Sequence, residues 1–191
     1  MKHFERIARH RFDFMNTPNL ELKLPLGPPL DDEGNPDEGL LPAPPPTTRA
    51  EAGAAMLYLR EFIGKSQLAC VASGMRGEER QYFCDKMVEL AAFIKAMPHT
   101  YQQDGLGDNA IVTLHYFTRS CDWFITEKDM GCEDSPGQHQ AFGWADLGDR
   151  QCAELGYISI VELLRCGAEL DFHFKPKTLA QAKKEKYGDD N

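Results

Sequence analysis

Nine of the chain's twelve prolines fall between Pro18 and Pro46, and that crowding sets the first limit on what can fold. Proline has no amide hydrogen and fixes φ near about −65°, so neither a helix interior nor a central strand runs through Pro18, Pro25, Pro28, Pro29, Pro36, Pro42, Pro44, Pro45 and Pro46. The run from Asp31 to Glu38 (DDEGNPDE) adds negative charge and no apolar anchor. Residues 1–47 are therefore expected to form an extended acidic arm. Asp31, Asp32 and Glu33 are its candidate contacts to a partner. Residues 40–46 suit either a polyproline helix entering an aromatic groove or a plain linker. Ahead of the prolines, Phe4, Ile7, Phe12 and Met15 line one side of a short amphipathic segment.

At Thr48 the pattern changes. Thr48 and Glu51 have the spacing of a capping box, followed by Ala52, Ala55, Met56, Leu59, Phe62 and Ile63 at helical intervals, with Gly64 as a stop. A second helix is expected over about 78–97, where Phe83, Met87, Leu90, Ile94 and Met97 form one stripe and Pro98 ends it. Beyond the loop 104–109, the β-branched and aromatic residues of 110–117 read as a strand. Residues 121–126 read as its hairpin partner, 140–145 as a third strand and 170–174 as a last one. Ser159 caps a short helix over 160–165, closed by Gly167. Helices followed by a strand-rich meander predict an α+β fold: two N-terminal helices on a small, mainly antiparallel sheet, with a short C-terminal helix. The compact domain is expected over 48–182, with 183–191 as a charged, fraying tail. A composition of 42% hydrophobic and 27% charged residues suits such a core.

The formal charge of −9 disfavours direct binding to nucleic acid, which calls for a basic face to displace counterions. Local basic clusters at Lys2, Arg6, Arg9 and Arg11, or at Lys175, Lys177, Lys183, Lys184 and Lys186, are the places where a nucleic-acid contact would have to form. The charged start lacks the apolar core of a secretory signal, and no stretch approaches the ~20 apolar residues of a membrane span, so a cytoplasmic protein is expected. Six cysteines without a C-x-x-C pair read as reduced thiols.

The candidate chemistry is sparse. Gly64-Lys65-Ser66 fails as a phosphate loop, because Leu59 stands where the motif needs its first glycine. Cys121, Cys132, His139 and Cys152 lie in one region, but their spacing matches no zinc module, so no metal or other cofactor is assigned. Cys121 with His115 or His173 is a conceivable thiol–imidazole pair. For acid–base work the candidates are Glu127, His115 and Asp146, with Asp129, Glu154 and His173 behind them. Strand alternation places Trp123, Ile125 and Glu127 on one face, so Glu127 is either a desolvated carboxylate at a sheet end or the start of a solvated turn. Tyr116, Trp123, Trp144 and Tyr157 suit either a binding surface or the core of a small sheet.

The blocks AIVTLHYFTRSCDWFITEKD, QAFGWADLG, ELGYISIVELL and ELDFHFKPKTLA, over about residues 110–180, resemble a family of unknown function found in bacterial plasmid, phage and integrative-element proteins, including polyvalent ones. The resemblance implies no catalytic residues. It implies an accessory protein of mobile DNA that acts by protein–protein binding, of the kind that inhibits a host defence system such as restriction or CRISPR. The alternative is a hydrolase or nuclease-associated enzyme using Glu127, His115 and Asp146.

Overall fold

The computed structural model describes residues 45–132 and 134–188. The expectations for the arm, including Asp31, Asp32 and Glu33, lie outside the described residues, except at Pro45 to Thr47. The fold is α+β. Helices α1 (Arg49–Leu59), α2 (Lys65–Gly74) and α3 (Arg80–Ala96) precede β1 (Ile111–Val112), β2 (Leu114–Phe117), β3 (Asp122–Glu127), β4 (Ala141–Asp146) and β5 (Glu154–Ile158). Helix α4 (Ile160–Arg165), β6 (Glu169–Leu170), β7 (Lys177–Thr178) and α5 (Leu179–Tyr187) complete it.

Five antiparallel strands pair in the order β5-β4-β3-β2-β6, and β1 pairs with β7 beside them. Alternation divides the sheet into two faces. Leu114, Tyr116, Ile125, Ala141 and Ile158 join Leu59, Met87, Leu90 and Ile94 in the main core beneath the helices. Tyr116 is fully buried there, and its hydroxyl donates to the Phe62 carbonyl at 2.7 Å, which ties β2 to the turn after α1. On the opposite face, Phe124 and Trp144 pack with Val112 of β1 and with Leu179 and Ala182 of α5. Helices thus cover both faces.

Local chemistry explains several element ends. Thr48 and Glu51 make the capping box of α1, and Ser159 accepts from the Glu162 amide to start α4. Helix α1 stops at Leu59 rather than Ile63, because the amides of Phe62 and Ile63 both turn back to the Leu59 carbonyl; both side chains stay buried. Between the two expected helices lies a further one, α2, over the apolar stretch Leu68–Ala72. The strand expected over 170–174 ends at Leu170, since Asp171 accepts from the His173 amide and turns the chain.

Of the charged tail 183–191 expected to fray, residues 183–187 instead complete α5, and 189–191 lie outside the described residues. Thr178 and Gln181 form a second capping box, and Lys183 and Lys186 reach carboxylates on the body of the domain. No helix among the described residues is long and apolar enough to cross a membrane.

Candidate functional site

Three rows of side chains cross the α5-facing side of the sheet. One joins Phe117, Asp122 and Asp146; the next joins His115, Phe124, Trp144 and Leu155; the third joins Glu127, Phe142 and Tyr157. Asp122 and Glu127 stand at opposite ends of β3, so the three catalytic candidates divide between two places.

His115 and Asp146 belong to the first place. The His115 ring lies against Phe124 (4.6 Å between ring centres, 14° between planes), with Nε2 2.8 Å from Asp122 and Nδ1 3.4 Å from Asp171. Lys186 of α5 reaches both Asp122 and Asp146, the latter at 3.1 Å. Tyr187 donates to Asp146 at 2.7 Å, and the Gly148 amide donates at 2.9 Å. Burial alone would raise the Asp146 carboxyl, but the hydrogen bonds from Tyr187 and Gly148 and the Lys186 charge outweigh it, and the net shift is downward. Lys186 loses to desolvation and gains more from its two aspartates, so it is raised. Every acid and base in this network is held by an oppositely charged or hydrogen-bonding neighbour. The arrangement fastens α5 to the sheet.

Glu127 belongs to the second place, and here the expectation from alternation is corrected. The register slips between Ile125, opposite Gly143, and Glu127, opposite Phe142. This bulge turns Glu127 away from Trp123 and Ile125 onto the other face. The residue is only 3% exposed, so it does not start a solvated turn. Its carboxylate accepts from the Tyr101 amide at 3.0 Å and from the Gln103 amide, gathering the loop after α3 around itself. Tyr101 is held there at φ +78°, a conformation that L side chains rarely adopt and that marks local strain.

Lys128, equally buried, donates from Nζ to the Ile94 and Lys95 carbonyls at 2.7 and 2.8 Å, closing the last turn of α3. The Lys128 backbone also pairs with Pro98 and Thr100, which sets where the loop begins.

The result is an open cup of about 440 Å³ between that loop and the outer sheet, lined by Tyr101, Gln103, Asp104, Glu127, Phe142 and Tyr157 among others. Tyr157 donates to the Tyr101 hydroxyl at 2.8 Å, and its ring stands edge-on to Phe142 at 5.6 Å. The Tyr157 phenol is held above its ordinary value, first by that hydrogen bond, then by desolvation and by the charges of Tyr101, Glu127 and Asp104. Among the described residues, no lysine, arginine or histidine lines the cup.

Of the aromatic candidates, Tyr157 is exposed on β5, whereas Trp144 lies buried beneath α5 with Lys183 over its ring. Trp123 is half-buried against the main core and Tyr116 wholly within it. Cys121, Cys132, His139 and Cys152 do not gather: no group of three or more His, Cys, Asp or Glu suited to a metal occurs among the described residues. His139 and Gln140 donate their amides to Asp129, which is a loop staple. Cys152 donates to Asp149, and the His115 ring is engaged by carboxylates rather than by a thiol. Glu154 is exposed on β5. Gly64 and Lys65 form the start of α2. Among the C-terminal lysines, Lys177, Lys183 and Lys186 are each paired with a carboxylate.

Sequence reading missed Tyr101 and Gln103, whose role depends on a loop fold, although the paired glycines Gly105 and Gly107, both at positive φ, mark the place as a tight turn. No family model, curated protein or solved structure matches the chain.

Proposed function

We propose that this chain is a binding protein that receives an extended segment of another protein along β5. The observation that carries the reading is the edge of the sheet. Among the described residues β5 pairs with β4 on one side alone and presents Leu155 and Tyr157, 41% and 58% exposed, next to Tyr101 at 63%. A strand edge offers backbone groups in register, and adjacent apolar side chains provide selectivity, which is how β-strand addition recognises peptides. Aromatic side chains that are both exposed and propped by neighbours are also the anchors that carry most interface energy. The use of His115, Asp146 and Glu127 in fastening α5 and the 100–105 loop supports binding over hydrolysis. Together with the resemblance of its strand blocks to proteins of plasmids, phages and integrative elements, this reading makes the chain an accessory protein of mobile DNA that acts on a protein of the host's defence.

The test is to capture partners from bacterial lysate, identify the dominant one, and reconstitute the pair from purified components. Tyr157→Lys and Leu155→Lys should abolish the reconstituted binding, while Leu57→Lys, on the exposed side of α1, should leave it intact. Binding that survives both β5 substitutions overturns the reading.

A further inference from the structure

We infer that the cup beside β5 takes a cationic side chain, lysine or arginine, carried by the segment that pairs with that edge. This rests on the reading of β5 as a docking edge and names what the edge selects. The cup brings together aromatic walls, a buried negative charge and, among the described residues, no cation to meet it.

The walls are Tyr101, Phe142 and Tyr157, with Tyr157 edge-on to both of the others. Rings around an open space attract a cation through their negative faces. The charge is Glu127. It is 3% exposed and has both oxygens engaged by backbone amides, yet no lysine, arginine or histidine pairs with it among the described residues. Amide donors stabilise a carboxylate but leave its net charge in place, so its field extends into the cup. Asp104 adds a second carboxylate at the exposed rim.

An apolar guest would fill the space but leave that charge unmatched. An anionic guest would meet repulsion from both acids. A guanidinium or ammonium on a flexible apolar stem meets the rings with its stem and the carboxylates with its head. A volume of about 440 Å³ is ample for one such side chain. The strained Tyr101 backbone is consistent with a loop held ready for a ligand rather than one relaxed on its own.

The test uses the full chain and a partner-independent probe. N-acetyl-arginine amide is titrated by NMR against its neutral counterpart, N-acetyl-citrulline amide. The arginine probe should shift the ring signals of Tyr101, Phe142 and Tyr157 saturably and bind at least about tenfold more tightly than the citrulline probe. Asp104→Asn, an exposed change that leaves the fold intact, should weaken the arginine probe by roughly threefold and leave the citrulline probe unchanged. Glu127→Gln should weaken it further, and the Asp104 variant keeps the test decisive if the Glu127 variant does not fold.

Equal affinity for the two probes, or shifts that fall elsewhere on the domain, overturns the inference. If the probes fail to discriminate while reconstituted binding still depends on Tyr157, the cationic guest falls and the docking edge stands. If the probes discriminate while that binding ignores Tyr157, the docking edge falls, and with it the delivery of the cation along β5.

Discussion

Replacing Lys186 with methionine removes the ammonium between Asp122 and Asp146 while keeping an apolar stem of similar length. At 3.1 Å and an effective dielectric of about 20, its gross attraction for Asp146 is about 5 kcal/mol. The net loss is smaller, because Lys186 is itself desolvated in reaching that place. Protonation sets a further ceiling, since neutralising an ordinary carboxyl at pH 7 costs about 4 kcal/mol, and an abandoned Asp146 would take up a proton rather than bear more. Tyr187 and Gly148 would continue to donate to Asp146, and Asp122 would keep its contact with His115. The expected cost is therefore roughly 2 kcal/mol.

Urea unfolding at pH 7 in a Trp123→Phe background, where Trp144 alone fluoresces, should show that loss with an unchanged denaturant slope. Amides of α5 should exchange up to about thirtyfold faster. The acid limb provides an independent reading. Since Asp146 is held below its ordinary value when folded, its contribution is present above about pH 4 and is lost as the pH falls below that. Without Lys186 that loss should shrink, because the folded Asp146 moves back up toward its unfolded value while the onset stays at about pH 4. A cost under about 0.5 kcal/mol with unchanged α5 exchange would equate the contact with an exposed ion pair and refute the clamp.

Lys128→Met should cost roughly 2 kcal/mol by thermal or urea unfolding, because it orphans two carbonyls in the last turn of α3. Burial lowers Lys128, so the unfolded chain binds its proton more readily. The wild-type advantage should therefore widen as the pH rises toward 10. Tyr187, pushed up to about 12 by burial and by its hydrogen bond to Asp146, should make the fold lose stability as the pH rises above about 10, where the unfolded phenol ionises first. Tyr187→Phe should flatten that alkaline slope, which pH-dependent unfolding would measure.

The helical stripe of α3 and the box opening α1 were legible because each is a local pattern whose physics acts within one or two turns. The strands carried their β-branched and aromatic signal for the same reason. α2 was not legible because its ten residues bury only Val71 fully and show no full stripe. The end of the chain misled for a different reason. Lys183 to Lys186 look like a solvated run, and their partners Asp108, Asp122 and Asp146 lie 40 or more positions away. The box at Thr178 and Gln181 was nevertheless a local signal that a helix begins there. Glu127 was misplaced because alternation assumes an unbroken ladder, and one extra residue in β3 reverses the face of everything after it.

That bulge also sets two buried carboxylates on the same face of the sheet in opposite circumstances. Asp146 is met by Lys186 from the chain's own C-terminal helix, with a tyrosine hydroxyl and a backbone amide completing its shell. Among the described residues Glu127 is met by backbone amides alone, and none of the side chains lining the cup around it is basic. The first arrangement serves the fold, since it fastens α5 over Trp144. The second orders the 100–105 loop, but the same loop could be held by neutral acceptors without burying a charge, because backbone amides bond equally to an amide or hydroxyl oxygen. What a carboxylate adds over such acceptors is net charge facing an open, ring-walled space. Inside one sheet, then, a carboxylate answered by lysine at one end of β3 contrasts with one at the other end that no cation among the described residues answers, and it is the second that leaves room for a cation from outside.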